Sequence, residues 1–241
     1  MTDTGMEGVR WHEWRAADTR SATVPDSAHV GSGGALATGV TALDRAAELL
    51  DAGGIVAHPT STVYGLGGRP GEAVNGRIAA LKGRPLLPLI RLAASREALC
   101  AALPAVRWTG TGRRLADALW PGPLTLILDD GSEAGIAVRV DAHAVVRRLL
   151  ERAGGLMTST SLNLTGGAPA RTHGEAREAL ASMPQGAGWL GWLDAGDLPA
   201  SAPSTLVRPG SETVDVLREG AVPVREIERV AGGVVRRGVP G

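Results

Sequence analysis

Short apolar runs alternate with stretches of helical periodicity along most of the chain, and that alternation restricts the fold to the α/β class. Ile55-Val56-Ala57, Leu89-Ile90-Arg91-Leu92, Leu124–Leu128, Ile136–Val140 and Leu156–Thr158 each read as a strand. Between them lie helical patterns. Leu43, Ala46, Ala47 and Leu50 share one face behind Thr41-Ala42-Leu43-Asp44, which fits a capping box. Val74, Ile78 and Leu81 repeat at helical spacing, and further helices are predicted over 95–103, 111–119 and 144–153. Thr172 is placed to cap a helix over 174–182. Residues 189–193, 204–208 and 214–218 read as strands with hairpin-like spacing, and 225–230 as a closing helix. The irregular order predicts a mixed, twisted sheet with flanking helices.

Residues 1–40 are rich in Gly, Ser, Thr, Ala and Asp and read as a flexible N-terminal extension. Residues 41–230 form one expected domain, and 231–241 a C-terminal tail. No apolar run approaches the roughly 18 residues that span a bilayer. The start, MTDTGMEGVRWHEW, lacks the apolar region of a secretory signal, so a soluble cytoplasmic protein is expected. Lys plus Arg and Asp plus Glu both number 25, which argues against binding driven by overall positive charge. Cys100 is the one cysteine and has no partner for an internal disulfide. The five histidines lack metal-ligand spacing, so no protein-bound metal is expected.

One bias carries information. Lys82 is the single lysine among those 25 basic residues, Tyr64 the single tyrosine, and phenylalanine is absent. Asparagine stands only at Asn75 and Asn163. Such a composition removes these residues wherever Arg, Ala or Gly suffices, so the survivors mark places where a substitute fails.

Three segments at expected strand ends concentrate hydroxyls, amides and cations: Pro59–Leu66, Lys82-Gly83-Arg84-Pro85 and Ser159–Gly166. Ligands of open α/β folds bind where loops leave strand ends. An extended Lys82-x-Arg84 points both cations to one side, which suits a polyphosphate; a solvated pair after a helix is the other reading. Ser161-x-Asn163 likewise presents a hydroxyl and an amide, either to a ligand or to its own loop. Tyr64 fits a core as well as a ligand contact. Arg139, inside an apolar run, needs an anion, which is either a core carboxylate or a ligand. Neither GxxxxGK[ST] nor a GxGxxG after a strand is present, so ATP binding would lie outside those frameworks.

In order, PTSTVYGLG, KGRP followed by PLI, WPGPLTLIL, AVRV, STSLNLTG, PSTLV and LREG resemble the YrdC/Sua5 family over about residues 41–230. The resemblance implies a YrdC-like twisted sheet with flanking helices around a large central cavity. It implies an L-threonylcarbamoyladenylate synthase, which makes threonylcarbamoyl-AMP and pyrophosphate from L-threonine, bicarbonate and ATP with Mg2+, for tRNA t6A modification. A separate tRNA threonylcarbamoyltransferase would take the product. The chain looks like the short form, without the additional C-terminal domain. By motif, Thr62, Arg139, Ser161 and Ser204 would contact threonine. Arg84, Gly135, Asn163, Thr172 and Arg218 would contact ATP, and Lys82 and Tyr64 would complete the catalytic cavity. The rival readings are a double-stranded RNA or nucleotide-binding paralogue without turnover, and a related carbamoyl-adenylating enzyme.

The chain departs from the family pattern in places. Ser61 stands for an acidic residue, and Asp141 for a common proline. Leu86-Leu87 replace polar residues in a loop one residue short. Leu92 occupies the place of a histidine that meets threonine. These changes bear on affinity and substrate choice more than on fold.

Overall fold

A computed structural model of the 241-residue chain describes residues 11–15, 41–83, 89–164, 166–184 and 190–238. Its elements in order are β1 (Trp11–Arg15), α1 (Ala42–Asp51), β2 (Ile55–His58), β3 (Gly65–Gly68), α2 (Glu72–Leu81), β4 (Ile90–Ala93), α3 (Arg96–Ala102) and α4 (Gly110–Leu119). They continue with β5 (Leu124–Leu128), β6 (Ile136–Val140), α5 (Ala144–Arg152), β7 (Leu156–Ser161), α6 (His173–Ala181) and β8 (Leu190–Asp194). Last come β9 (Thr205–Pro209), β10 (Thr213–Arg218), α7 (Val224–Ala231) and β11 (Val234–Arg237).

Among the described residues the strands make one 11-stranded sheet, ordered β1-β8-β2-β3-β7-β4-β6-β5-β9-β10-β11. Parallel and antiparallel neighbours are mixed: β4 runs parallel to β6, and β3 and β4 both run antiparallel to β7.

Strand alternation sorts the core into layers. Val56, Leu92, Met157 and Leu193 share an apolar cluster with α1 residues Ala46 and Leu50 and with α5 residues Val146 and Leu149. Their chain neighbours belong to other clusters. Ile55, Ala57 and Trp192 pack with Val74 and Ile78 of α2 and Leu180 of α6. Ala93 and Leu156 pack with Leu99 of α3, Leu115 of α4 and Ile227 of α7.

The caps follow the sequence. Thr41 accepts a bond from the Asp44 amide at 3.2 Å, and Asp44 accepts one from the Thr41 amide at 3.0 Å. Thr172 and Glu175 repeat that reciprocal box at α6. Three strands differ from the sequence reading. β1 lies in the segment expected to be loose and pairs in parallel with β8. β3, which begins inside the segment Pro59–Leu66 and is not among the strands expected from the sequence, pairs with both β2 and β7. β11 lies in the expected tail and pairs with β10. No helix among the described residues is long and apolar enough to cross a membrane.

Candidate active site

The segment from Pro59 to Tyr64 is the common wall of the site. It leaves β2 and folds on its own hydroxyls. Thr60 Oγ1 donates to the Val63 carbonyl at 2.6 Å and accepts from the Thr62 and Val63 amides at 3.2 and 3.1 Å. With that proton committed, the Thr62 hydroxyl donates to Thr60 Oγ1, 3.1 Å away. Backbone bonds tie Tyr64 to the loop after β7: its amide donates to Ala170 O at 2.7 Å, and its carbonyl accepts from the Leu162 amide at 2.8 Å.

On one side, against the loop after β7, stands Lys82, at the C-terminus of α2 and 3 % exposed. Its ammonium donates to the Ser161 carbonyl at 2.6 Å and to Asn163 Oδ1 at 2.8 Å. Asn163 is oriented by its own amide, which donates to the carbonyls of Leu164 and Gly167 at 2.9 and 2.7 Å. Its oxygen must therefore face Lys82 and the Ser161 hydroxyl, which donates to it at 2.6 Å. A buried ammonium needs such acceptors, and the carbonyl end of α2 favours it further.

On the other side lies Arg139, also 3 % exposed. Its Nε donates to Gly122 O at 3.0 Å, Nη1 to Thr62 Oγ1 at 3.2 Å, and Nη2 to Ser61 Oγ at 2.8 Å. Nη2 is also ion-paired with the fully buried Asp141. Burial lowers the proton affinity of the Arg139 guanidinium, Asp141 opposes that shift, and the charge of Arg218 adds to it. Of the two readings of Arg139 from the sequence, the core carboxylate partner is present as Asp141.

Arg218 belongs to a third group. Its Nη2 and Nε donate to the Ser204 carbonyl at 2.9 and 3.2 Å, and Ser204 Oγ lies 2.9 Å from Thr125 Oγ1. The Thr205 amide donates to Pro123 O at 3.0 Å, so Ser204 sits beside the Gly122 turn that holds Arg139. Burial lowers the proton affinity of Arg218 as well. Its cation acts on that of Arg139.

Other expected site residues stand apart. The Tyr64 ring is fully buried among the α2 and α6 contacts, and its hydroxyl donates to Gly196 O at 2.8 Å and accepts from the Ala195 amide at 2.9 Å. Burial, with Asp194 3.3 Å away, raises its proton affinity. Thr172 uses its hydroxyl as the cap of α6. Gly135 has φ of 68° and occupies the turn between β5 and β6, at the far end of those strands from Gly122 and Ser204. Arg84, Leu86 and Leu87 lie outside the described residues.

His58 went unnoticed in the sequence. It is fully buried, with Nε2 3.1 Å from Ser159 Oγ and Nδ1 3.3 Å from Pro59 O. A carbonyl only accepts, so Nδ1 carries the proton and Nε2 accepts from Ser159. Desolvation pushes its pKa down from 6.5 to about 4, so the ring is neutral near pH 7. The packing requires glycine next door: a Cβ on Gly65 would lie 2.6 Å from His58 Cε1 and 3.0 Å from Ser159 Oγ. The usable signal in the sequence was a histidine at a strand end abutting the hydroxyl-rich loop.

Glu13, His173 and Asp194 bring one potential ligand atom each within 4.8 Å of one another. Asp194 is already engaged: His173 Nδ1 lies 3.1 Å away, and the Gly196 amide donates to it at 2.9 Å. These contacts explain the carboxylate as the fastening of β1 and α6 to β8.

The twisted mixed sheet thus carries a buried ammonium at the loop after β7 and a buried guanidinium at the loop after β2. A family profile named for Sua5, YciO and YrdC, and described as telomere recombination, matches residues 48–220. The threonylcarbamoyl-AMP synthase of Halorhodospira halophila is 41% identical over 147 residues, covering 55% of this chain and 74% of that protein. The synthase of Stenotrophomonas maltophilia is 40% identical over 149 residues, covering 55% and 77%. P. abyssi Sua5 in complex with L-threonine superposes with a TM-score of 0.67 at 30% identity, covering 80% of this chain and 58% of that one. The chain belongs to the Sua5/YciO/YrdC family.

Proposed function

We propose that this protein is an L-threonylcarbamoyladenylate synthase, joining L-threonine, bicarbonate and ATP into threonylcarbamoyl-AMP and pyrophosphate for t6A modification of tRNA. The observation that carries the reading is the placement of two buried cations at adjoining loops: Lys82 at the loop after β7, through Ser161 and Asn163, and Arg139 at the loop after β2, through Thr62, the two loops being joined by the bond from the Leu162 amide to the Tyr64 carbonyl. One cation suits a polyphosphate and the other a carboxylate, which are the anionic ends of the two larger substrates. The names of the synthase relatives support this assignment, as does the L-threonine complex of the archaeal neighbour.

The threonine carboxylate would rest on Arg139, beside Thr62, with Ser161 and Ser204 available to its hydroxyl and ammonium. The threonine amine attacks the carbon of CO2 or bicarbonate, forming a carbamate; from bicarbonate, water leaves. A carbamate oxygen then attacks the α-phosphorus of ATP, and pyrophosphate departs with the electron pair of the broken P–O bond. Lys82, Arg218 and Arg84 would neutralise phosphate charge, with Asn163 as a further nucleotide contact. Mg2+ enters with ATP. No covalent enzyme intermediate is required, so the protein contributes positioning and fixed charge. The product would pass to a tRNA threonylcarbamoyltransferase in the cytoplasm.

The test is pyrophosphate release from ATP, Mg2+ and bicarbonate with each amino acid in turn. Release confined to threonine supports the proposal. Release without any amino acid contradicts it, and salt-sensitive RNA binding with no release would favour the RNA-binding paralogue instead.

A further inference from the structure

Asp141 is fully buried, and of its partners Arg139 is buried while Ser61 and His143 are half-buried. Its Oδ1 accepts from the amides of Ser61 and His143, both at 2.8 Å. Its Oδ2 pairs with Arg139 Nη2 and lies 3.3 Å from Ser61 Oγ. One carboxylate therefore joins the hydroxyl-rich loop, the start of α5 and the buried guanidinium. Ser61 and Asp141 are also the two positions where this chain departs from the motifs around that loop and β6. An acidic residue is missing at 61 and one is gained at 141, and the two positions touch.

Building on the synthase reading, we infer that Asp141 is a positioning residue for amino-acid recognition, supplying from the β6–α5 turn the anion that the motif otherwise places at position 61. The pair aims Arg139. Nε is committed to Gly122 O, and Nη2 to Asp141 and Ser61. The edge at Nη1, beside Thr62, is what remains for a substrate carboxylate. Without Asp141, Arg139 would be a buried cation lacking its counter-charge, and the Ser61 amide would lose its acceptor. The guanidinium would then settle on whichever carbonyl or hydroxyl lies nearest. A carboxylate at 61 lies in the same small region, so an aspartate there can take up the Nη2 contact.

The experiment uses the full chain and compares Asp141→Asn, Asp141→Pro, and Ser61→Asp combined with Asp141→Pro. For each, the thermal midpoint, calorimetric L-threonine affinity without ATP, and the KM values for threonine and ATP are measured. Asp141→Asn keeps the side-chain shape and loses the charge, so threonine affinity should weaken by about tenfold or more, with the ATP KM changing by less than about twofold. The double variant should bind threonine within about threefold of the native chain, because the pair is restored from the other side.

A purely structural Asp141 would lower the midpoint and leave threonine affinity unchanged in whatever fraction folds, and that overturns the inference. So does a double variant that recovers the midpoint without recovering threonine affinity. If Asp141→Asn fails to fold, the double variant alone decides: restored folding with native-like affinity supports the inference, and anything less contradicts it. Native protein that binds threonine but releases no pyrophosphate sinks the synthase reading and leaves this comparison readable, whereas native protein that binds no threonine sinks both.

Discussion

The ammonium of Lys82 lies 2.8 Å from the side-chain oxygen of Asn163, so the single lysine of the chain is held by one of its two asparagines. The contact joins the end of α2 to the loop after β7, 81 positions further along the chain. Both residue types are scarce here, and the geometry gives each a reason to persist. The lysine must be compact enough to fit at 3 % exposure, and the asparagine must accept on one side while donating on the other.

Lys82→Ala is expected to lower kcat for pyrophosphate release by about 10²–10³-fold, the usual loss when one fixed donor to a developing charge is removed. Lys82→Arg should lose most of that too, because a planar guanidinium does not fit a site built around a point charge. Steady-state kinetics together with a melting curve check this. A fully active Lys82→Arg protein would mean the ammonium is not in contact with the phosphates.

Asn163→Asp should damage the site more than its small change in volume suggests. The new oxygen would face the carbonyls of Leu164 and Gly167, both of which now accept from Nδ2. Repulsion there costs about 1–3 kcal/mol and loosens the loop that holds Lys82. The expected result is a lower melting temperature and a raised KM for ATP. An unchanged KM would place the nucleotide elsewhere.

His58 predicts a pH dependence of stability. Its folded pKa, about 4, lies below the unfolded value of 6.5, so between those values the unfolded chain binds the extra proton. Stability from this group is complete above pH 6.5 and falls as pH drops towards 4, by ~3 kcal/mol in all. Chemical denaturation at several pH values should show this slope in the native protein and a flatter one in His58→Gln. Identical slopes would mean that His58 titrates normally.

Leu92 is the register partner of Arg139 on the neighbouring strand, and the two side chains leave the same face of the sheet. Arg91 leaves the opposite face and donates to Thr158 Oγ1 at 2.8 Å, so it cannot stand in for the absent histidine. Leu92→His should place an imidazole beside Arg139 and lower the threonine KM. It should also lower the melting temperature, since Leu92 is fully buried against Val56, Val146 and Met157. A threonine KM that does not move would show that the ring stays in the apolar cluster.

The fold was legible wherever hydrophobic periodicity specified it, which is why the helix carried by Ala46 and Leu50 emerges with its cap and face, and the helix carrying Val146 and Leu149 with its span. β3 was hidden because Gly65, Gly67 and Gly68 carry no strand propensity; they are there to let β3 approach His58, Thr158 and Val74 closely. β1 and β11 were hidden because five or four residues beside polar segments offer too little pattern. Lys82, Ser161 and Asn163 were legible as motif residues, and the structure brings them together. Asp141 was visible only as a departure from the pattern. Its meaning depends on contact with Ser61, 80 residues away in sequence, which no local reading contains.

In the proposed reaction Arg139 serves the amino-acid carboxylate and Lys82 the nucleotide polyphosphate. The most direct measurement is pyrophosphate formed by the purified chain with Mg2+ and ATP as bicarbonate and L-threonine are each left out. Release is expected only when all are present, with L-threonine preferred over L-serine and L-valine, which lack its methyl or its hydroxyl. Equal release without threonine, or none under any condition, would contradict the proposed reaction.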